Sequence, residues 1–165
     1  MSKTLDDLKA AFAGESQANR TYLAFAKQAD KEGHVQVARL FRAAAAAETV
    51  HAHNHLNAMA GVATTKENLE AAISGESHEV LEMYPAMIQH AEAEGHKKGL
   101  NSFQWAWAVE KTHEAMYRNA QANLGKAGET FDYYVCQVCG HTHEKNAPEK
   151  CPVCGAPAGR FDRVN

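Results

Sequence analysis

Glu48 and His51 stand three residues apart, and Glu110 and His113 repeat the pair sixty-two residues later (110 − 48 = 62). On an α-helix, positions three apart share a face, so each pair can aim a carboxylate and an imidazole at one point. Together those groups are a metal-binding couple. One such pair falls by chance on many solvated helix faces; its return in a second place, with Glu15, Glu76 and Glu79 as further acids, changes the reading. At the other end of the chain, Cys136-Gln137-Val138-Cys139-Gly140 and Cys151-Pro152-Val153-Cys154-Gly155 form two C-x-x-C-G knuckles. Each glycine permits the tight turn that points backbone amides at thiolate sulfur. Four thiolates so spaced make a tetrahedral S₄ site, which by geometry holds either zinc or iron.

These residues need rigid supports, and the chain reads as long helices. Thr4 with Asp7 marks a helix start, and Gly33 closes a first helix over about 5–32 whose apolar residues include Leu5, Leu8, Phe12, Leu23 and Phe25. A second runs from Val35 to Ala60, through five consecutive alanines, and stops at Gly61. Thr64 and Glu67 form a capping-box pattern for a third, which reaches Gly95 with a distortion expected at Pro85. A fourth covers about Lys98 to Leu124 before Gly125 and Gly128. Four long helices with short joints predict a bundle. All four cysteines lie beyond it, which predicts two domains, 1–128 and 129–165, with Gly125 to Thr130 as linker and Tyr133, Tyr134 and Phe161 as the small core of the second.

The helical part repeats itself. Ala13-Gly14-Glu15-Ser16 matches Ser74-Gly75-Glu76-Ser77 at an offset of 61 (75 − 14), whereas Tyr22 matches Tyr84, and Glu32-Gly33-His34 matches Glu94-Gly95-His96, at 62 (84 − 22). One extra residue therefore lies between Gly75 and Tyr84. A single insertion within a helix is most simply absorbed as a π-bulge, a feature frequent at functional sites. The stretch contains Glu79, so a bulge is expected there that turns this carboxylate inward.

The inventory matches the known ligand set of ferritin-like di-iron and di-manganese carboxylate bundles: one Glu from each of two helices and a Glu-x-x-His from each of the other two. Without cations, several carboxylates facing one interior would be costly or would protonate. At this point the chain resembles the rubrerythrin family, over its whole length. The resemblance rests on Ala13-Gly14-Glu15-Ser16-Gln17-Ala18, on Glu76-Ser77-His78-Glu79 followed by Glu82-Met83-Tyr84-Pro85, and on the cysteine tail, which resembles rubredoxin. It implies a mainly α protein, a ferritin-like four-helix bundle plus a small C-terminal rubredoxin-like metal-binding domain. It also implies that Glu48 and Glu110 bridge two irons, Glu15 holds one, Glu76 with His113 the other, and Glu79 and His51 alternate on the first as the oxidation state changes. Tyr22 and Tyr84 would lie beside the site, either as core phenols or with a redox role. Cys136, Cys139, Cys151 and Cys154 would hold one iron, with zinc as the structural alternative.

The implied activity is an oxidoreductase reducing hydrogen peroxide to water, its electrons arriving singly through the S₄ iron from an external reductase. Competing readings are a ferroxidase or iron-binding protein, a manganese catalase-like site with a structural zinc ribbon, and an oxygen-activating di-iron enzyme. A formal net charge of −3 without a basic patch argues against nucleic acid. Met1-Ser2-Lys3-Thr4-Leu5-Asp6-Asp7 lacks the apolar core of a secretion signal, and no run approaches a membrane span; a cytoplasmic protein is expected. In a bundle with two-fold-related halves, the second and third helices run parallel, and joining them within one chain requires roughly 33 Å at 1.5 Å per residue. Met59 to Thr65 spans about 21 Å when extended. A homodimer with exchanged helix pairs is therefore expected, one chain giving Glu15, Glu48 and His51 and its partner the other ligands. The remaining eye-catching residues take plain roles: His53 and His55 at the margin or in solvent, His141 and His143 exposed, Trp105, Trp107 and Met116 in packing.

Overall fold

A computed structural model describes residues 2–165, so of the N-terminal segment only Met1 lies outside it. The chain divides into two units, the first ending at Ala63 and the second covering Thr64–Asn165. The first is a helical hairpin of α1 (Lys3–Lys31) and α2 (Val35–Ala58). Its seam is built of small side chains, for Ala26, Ala29, Ala38, Ala45 and Ala52 are the buried apolar residues of the pair. Small residues let two backbones approach closely, and Asn19 uses that closeness, donating from Nδ2 to Ala45 O at 2.6 Å and to Thr49 Oγ1 at 2.9 Å. The start of α1 corrects the expectation from Thr4: the cap is Ser2, whose hydroxyl accepts from Leu5 N at 3.2 Å. The joint at Gly33 is as expected, with φ of 82° and the His34 amide donating back to Ala29 O.

The second unit opens at Thr64 with the predicted capping box, Oγ1 accepting from Glu67 N while Glu67 Oε2 accepts from Thr64 N. Helix α3 (Thr65–His78) passes into a π turn over Glu79–Met83 and then into α4 (Tyr84–Ala93). The inserted residue is thus absorbed where the repeat places it. Proline at the head of α4 fits this break, since its missing N–H disrupts the regular ladder. Helix α5 (Lys97–Asn123) packs against both α3 and α4.

The tail forms an antiparallel sheet in the order β2-β1-β3, with β1 at Tyr133–Cys136, β2 at Thr142–Glu144 and β3 at Phe161–Val164. Its interior differs from the aromatic core expected of it. Tyr133 is exposed and Phe161 only half-buried, while Cys136, Cys151 and His141 are buried. His141, expected in solvent, is 7 % exposed. So short a sheet has little else to enclose than its own cysteines.

Candidate metal centres

Among the described residues, three clusters of ligand atoms stand out, each drawn together within 4.8 Å: Glu15, Glu48 and His51; Glu76, Glu110 and His113; and the four cysteines. In the first unit, α1 supplies Glu15 and α2 supplies Glu48 and His51, whose Nδ1 lies 2.9 Å from Glu48 Oε2. Tyr22 lies on α1 in an aromatic group with Phe25 and Phe41, at ring separations of 6.4 and 6.2 Å. His53 is exposed and His55 half-buried, and neither belongs to the ligand cluster.

In the second unit, α3 supplies Glu76, and α5 supplies Glu110 and His113. His113 Nδ1 sits 2.6 Å from Glu110 Oε2 and 4.0 Å from Glu76 Oε1. Burial, then the nearby Glu110 carboxylate, pushes Glu76 up to about 7, and its Oε2 is buried with no hydrogen-bond partner. Glu79, carried by the π turn, is raised for the same two reasons, with His78 and His113 opposing. Tyr84 is raised by burial and by Glu79, Glu110 and Glu76, which places its phenol in the field of the cluster. The hydrogen bond to Glu110 raises His113 despite burial. A cation would replace the shared protons, satisfy the orphaned oxygen of Glu76 and relieve the repulsion among the acids, so the residues fit a metal.

His113 has a second anchor that the sequence did not signal. Its Nε2 lies 2.9 Å from Thr142 Oγ1 on β2, while Nδ1 faces the carboxylates. A ligating histidine that gives its outer N–H to a fixed acceptor keeps its tautomer and ring orientation.

The four cysteines are free thiols, with Cys136 Sγ 3.7 Å from Cys154 Sγ and Cys139 Sγ 3.6 Å from Cys151 Sγ. The edge of a tetrahedron with metal–sulfur bonds of about 2.3 Å is about 3.8 Å, so the cluster is already at ligating size. Burial pushes the Cys136 thiol up, but the backbone amides of Val138 and Cys139, with Cys154, outweigh it and bring it to about 7. Knuckle amides aimed at sulfur are what a thiolate ligand requires.

The family profile described as Rubrerythrin matches residues 6–121, and one described as Rubrerythrin, rubredoxin-like domain matches residues 134–162. This chain belongs to the rubrerythrin family. It is 36% identical to the rubrerythrin of Porphyromonas gingivalis, over 98% of this chain and 90% of that protein. It is 35% identical to nigerythrin of Nitratidesulfovibrio vulgaris, over 98% of this chain and 86% of that one. Solved structures of nigerythrin in a mixed-valence and a fully reduced, all-ferrous state each give a TM-score of 0.59 at 35% identity, covering 99% of this chain and 88% of theirs. As in other rubrerythrins, the expected class stands: a mainly α, ferritin-like di-iron protein with a rubredoxin-like Cys₄ domain. The rubredoxin-like domain implies a redox partner. Among the described residues, no helix is long and apolar enough to cross a membrane.

Proposed function

We propose that this rubrerythrin is a non-haem di-iron peroxidase that reduces hydrogen peroxide to water in defence against oxidative stress. The supporting observation is the coexistence, in one chain, of two carboxylate–imidazole triads and a preformed four-thiol cluster. Bound iron would supply two electrons to the O–O bond, which with two protons gives two waters. Glu48 and Glu110 are the bridging carboxylates in this reading, Glu15, Glu76 and His113 the terminal ligands, and Glu79 and His51 the exchanging pair. The hydroxyl of Tyr84, whose ionisation is opposed by burial and then by the acids around it, can donate a hydrogen bond to oxygen in the site. Cys136, Cys139, Cys151 and Cys154 would carry the rubredoxin-like iron that receives electrons from an external reductase. Stopped-flow mixing of the reduced protein with peroxide and, separately, dioxygen tests the substrate: reoxidation at least tenfold faster by peroxide is expected, and faster reaction with dioxygen would refute the reading.

The assembly we infer is a homodimer with exchanged helix pairs, over domains of 1–128 and 129–165. Between Ala58 and Thr65 the chain spans at most about 25 Å, against the roughly 30 Å that closing one bundle from one chain requires. Phe25 at 48 % exposed, Leu40 at 66 % and Val50 at 56 % are apolar surface that a second copy would cover. A crystal structure with all seven dinuclear ligands from one chain would overturn the exchange.

A further inference from the structure

The π turn and Pro85 together leave the Val80 carbonyl without a helical donor. In an ordinary α-helix, Val80 O would accept from the amide of residue 84, but Tyr84 N–H reaches back five residues to Glu79 O. The next amide along would be that of residue 85, which is proline and carries none. Had the helix stayed in α register, the carbonyl orphaned by Pro85 would be that of Leu81, whose residue is 72 % exposed and open to water. In the π register it is Val80 O, and this oxygen accepts from Trp107 Nε1 at 2.8 Å. The indole is itself held, with Lys111 Nζ 3.1 Å above its ring centroid one turn along α5. Trp107 and Lys111 flank Glu110 on that helix, so the same element bears the ligand pair and the donor.

We propose that Trp107 is a positioning residue: its indole N–H, by filling the acceptor that only the π register offers, locks the turn that presents Glu79 to the Glu76, Glu110 and His113 cluster. A bulge can migrate along a helix, and each one-residue step re-aims the intervening side chains by about 100°. Loss of the donor leaves a half-buried carbonyl unsatisfied and removes the preference for this position. The inference rests on the reading of Glu79 as a ligand.

The test uses the full-length, iron-loaded protein and the variants Trp107→Phe, Pro85→Ala and the two combined. Pro85→Ala supplies the missing amide, five residues beyond Val80, so it should make the indole donor dispensable; a tryptophan that serves only in packing would not be rescued. Hydrogen–deuterium exchange of the peptide over 79–87 reads the register, and iron bound beyond that of the Cys₄ centre reads Glu79. Trp107→Phe is expected to speed exchange there about tenfold and to lower dinuclear iron, with Pro85→Ala returning both to within about twofold of the parent. Unchanged exchange in Trp107→Phe, or equal losses with and without Pro85→Ala, would overturn the proposal. Faster exchange with full iron would uphold the lock and refute instead the assignment of Glu79. Should Trp107→Phe lose its helicity, benzothienylalanine at 107, which keeps the ring shape without the N–H, carries the same expectations.

Discussion

Glu76 couples the site to pH because its surroundings favour the protonated form. In the metal-free protein its carboxyl is raised from 4.5 to about 7 by burial and by Glu110. Between those values the folded chain binds more protons than the unfolded one, so stability falls as pH rises through that window, by at most about 3 kcal/mol. His113, also raised, acts in the same direction. Urea unfolding of chelator-treated protein at pH 5 and at pH 7.5 should give the lower midpoint at pH 7.5, and saturating metal should abolish the difference. Thr142 offers a second test at this scale. Its hydroxyl fixes the outer nitrogen of His113, so Thr142→Val should weaken metal binding by about tenfold to a hundredfold in competition with a chelator, while Thr142→Ser should restore it.

Among the elements, α3 depends on its start. Thr64→Ala removes the hydroxyl that accepts from Glu67 N, leaving only the backbone half of the capping box, and should lower stability by about 1 kcal/mol in chemical denaturation, with metal content unchanged. That box, the joint at Gly33 and the π turn were legible in the sequence because each follows from local rules: a Thr-x-x-Glu pattern, a glycine free to take positive φ, and a repeat whose offset slips by one. Ligand spacing was legible for the same reason. What was not legible depends on residues far apart in the chain. Nothing near Trp107 points to Val80, although Pro85 following the extra residue is the one local hint that a carbonyl there would need an outside donor. Equivalent positions in the first half are bridged in the opposite sense, for Asn19 donates to Ala45 O where Trp107 donates to Val80 O (80 − 19 = 61; 107 − 45 = 62). His141 was misread because a histidine beside a knuckle gives no sign of whether a three-stranded sheet will close over it, and the Ser2 cap because Thr4 offers the same chemistry two residues later.

For the whole molecule, iron and folding are linked. The tail's buried residues are two of its own ligands and one histidine, so loss of the Cys₄ metal removes most of what holds its strands together. Chelation should abolish protection of the amides of Val135, Cys136 and Phe161 while the α1 and α2 amides keep theirs, as read by hydrogen exchange. The α1–α2 hairpin has a different vulnerability. With Ala38 and Ala45 only 0 % and 1 % exposed, the larger side chain of Ala45→Leu has no space and should cost about 1–3 kcal/mol. The same seam bears on calorimetry. Methyl groups are all the oil it encloses completely, and Tyr22, Phe25 and Phe41 are covered only in part, so parting these two rods wets less oil than a leucine-filled seam would; their melting should carry a smaller heat-capacity increment per residue, and the stability curve of that half should be correspondingly shallower from cold to warm.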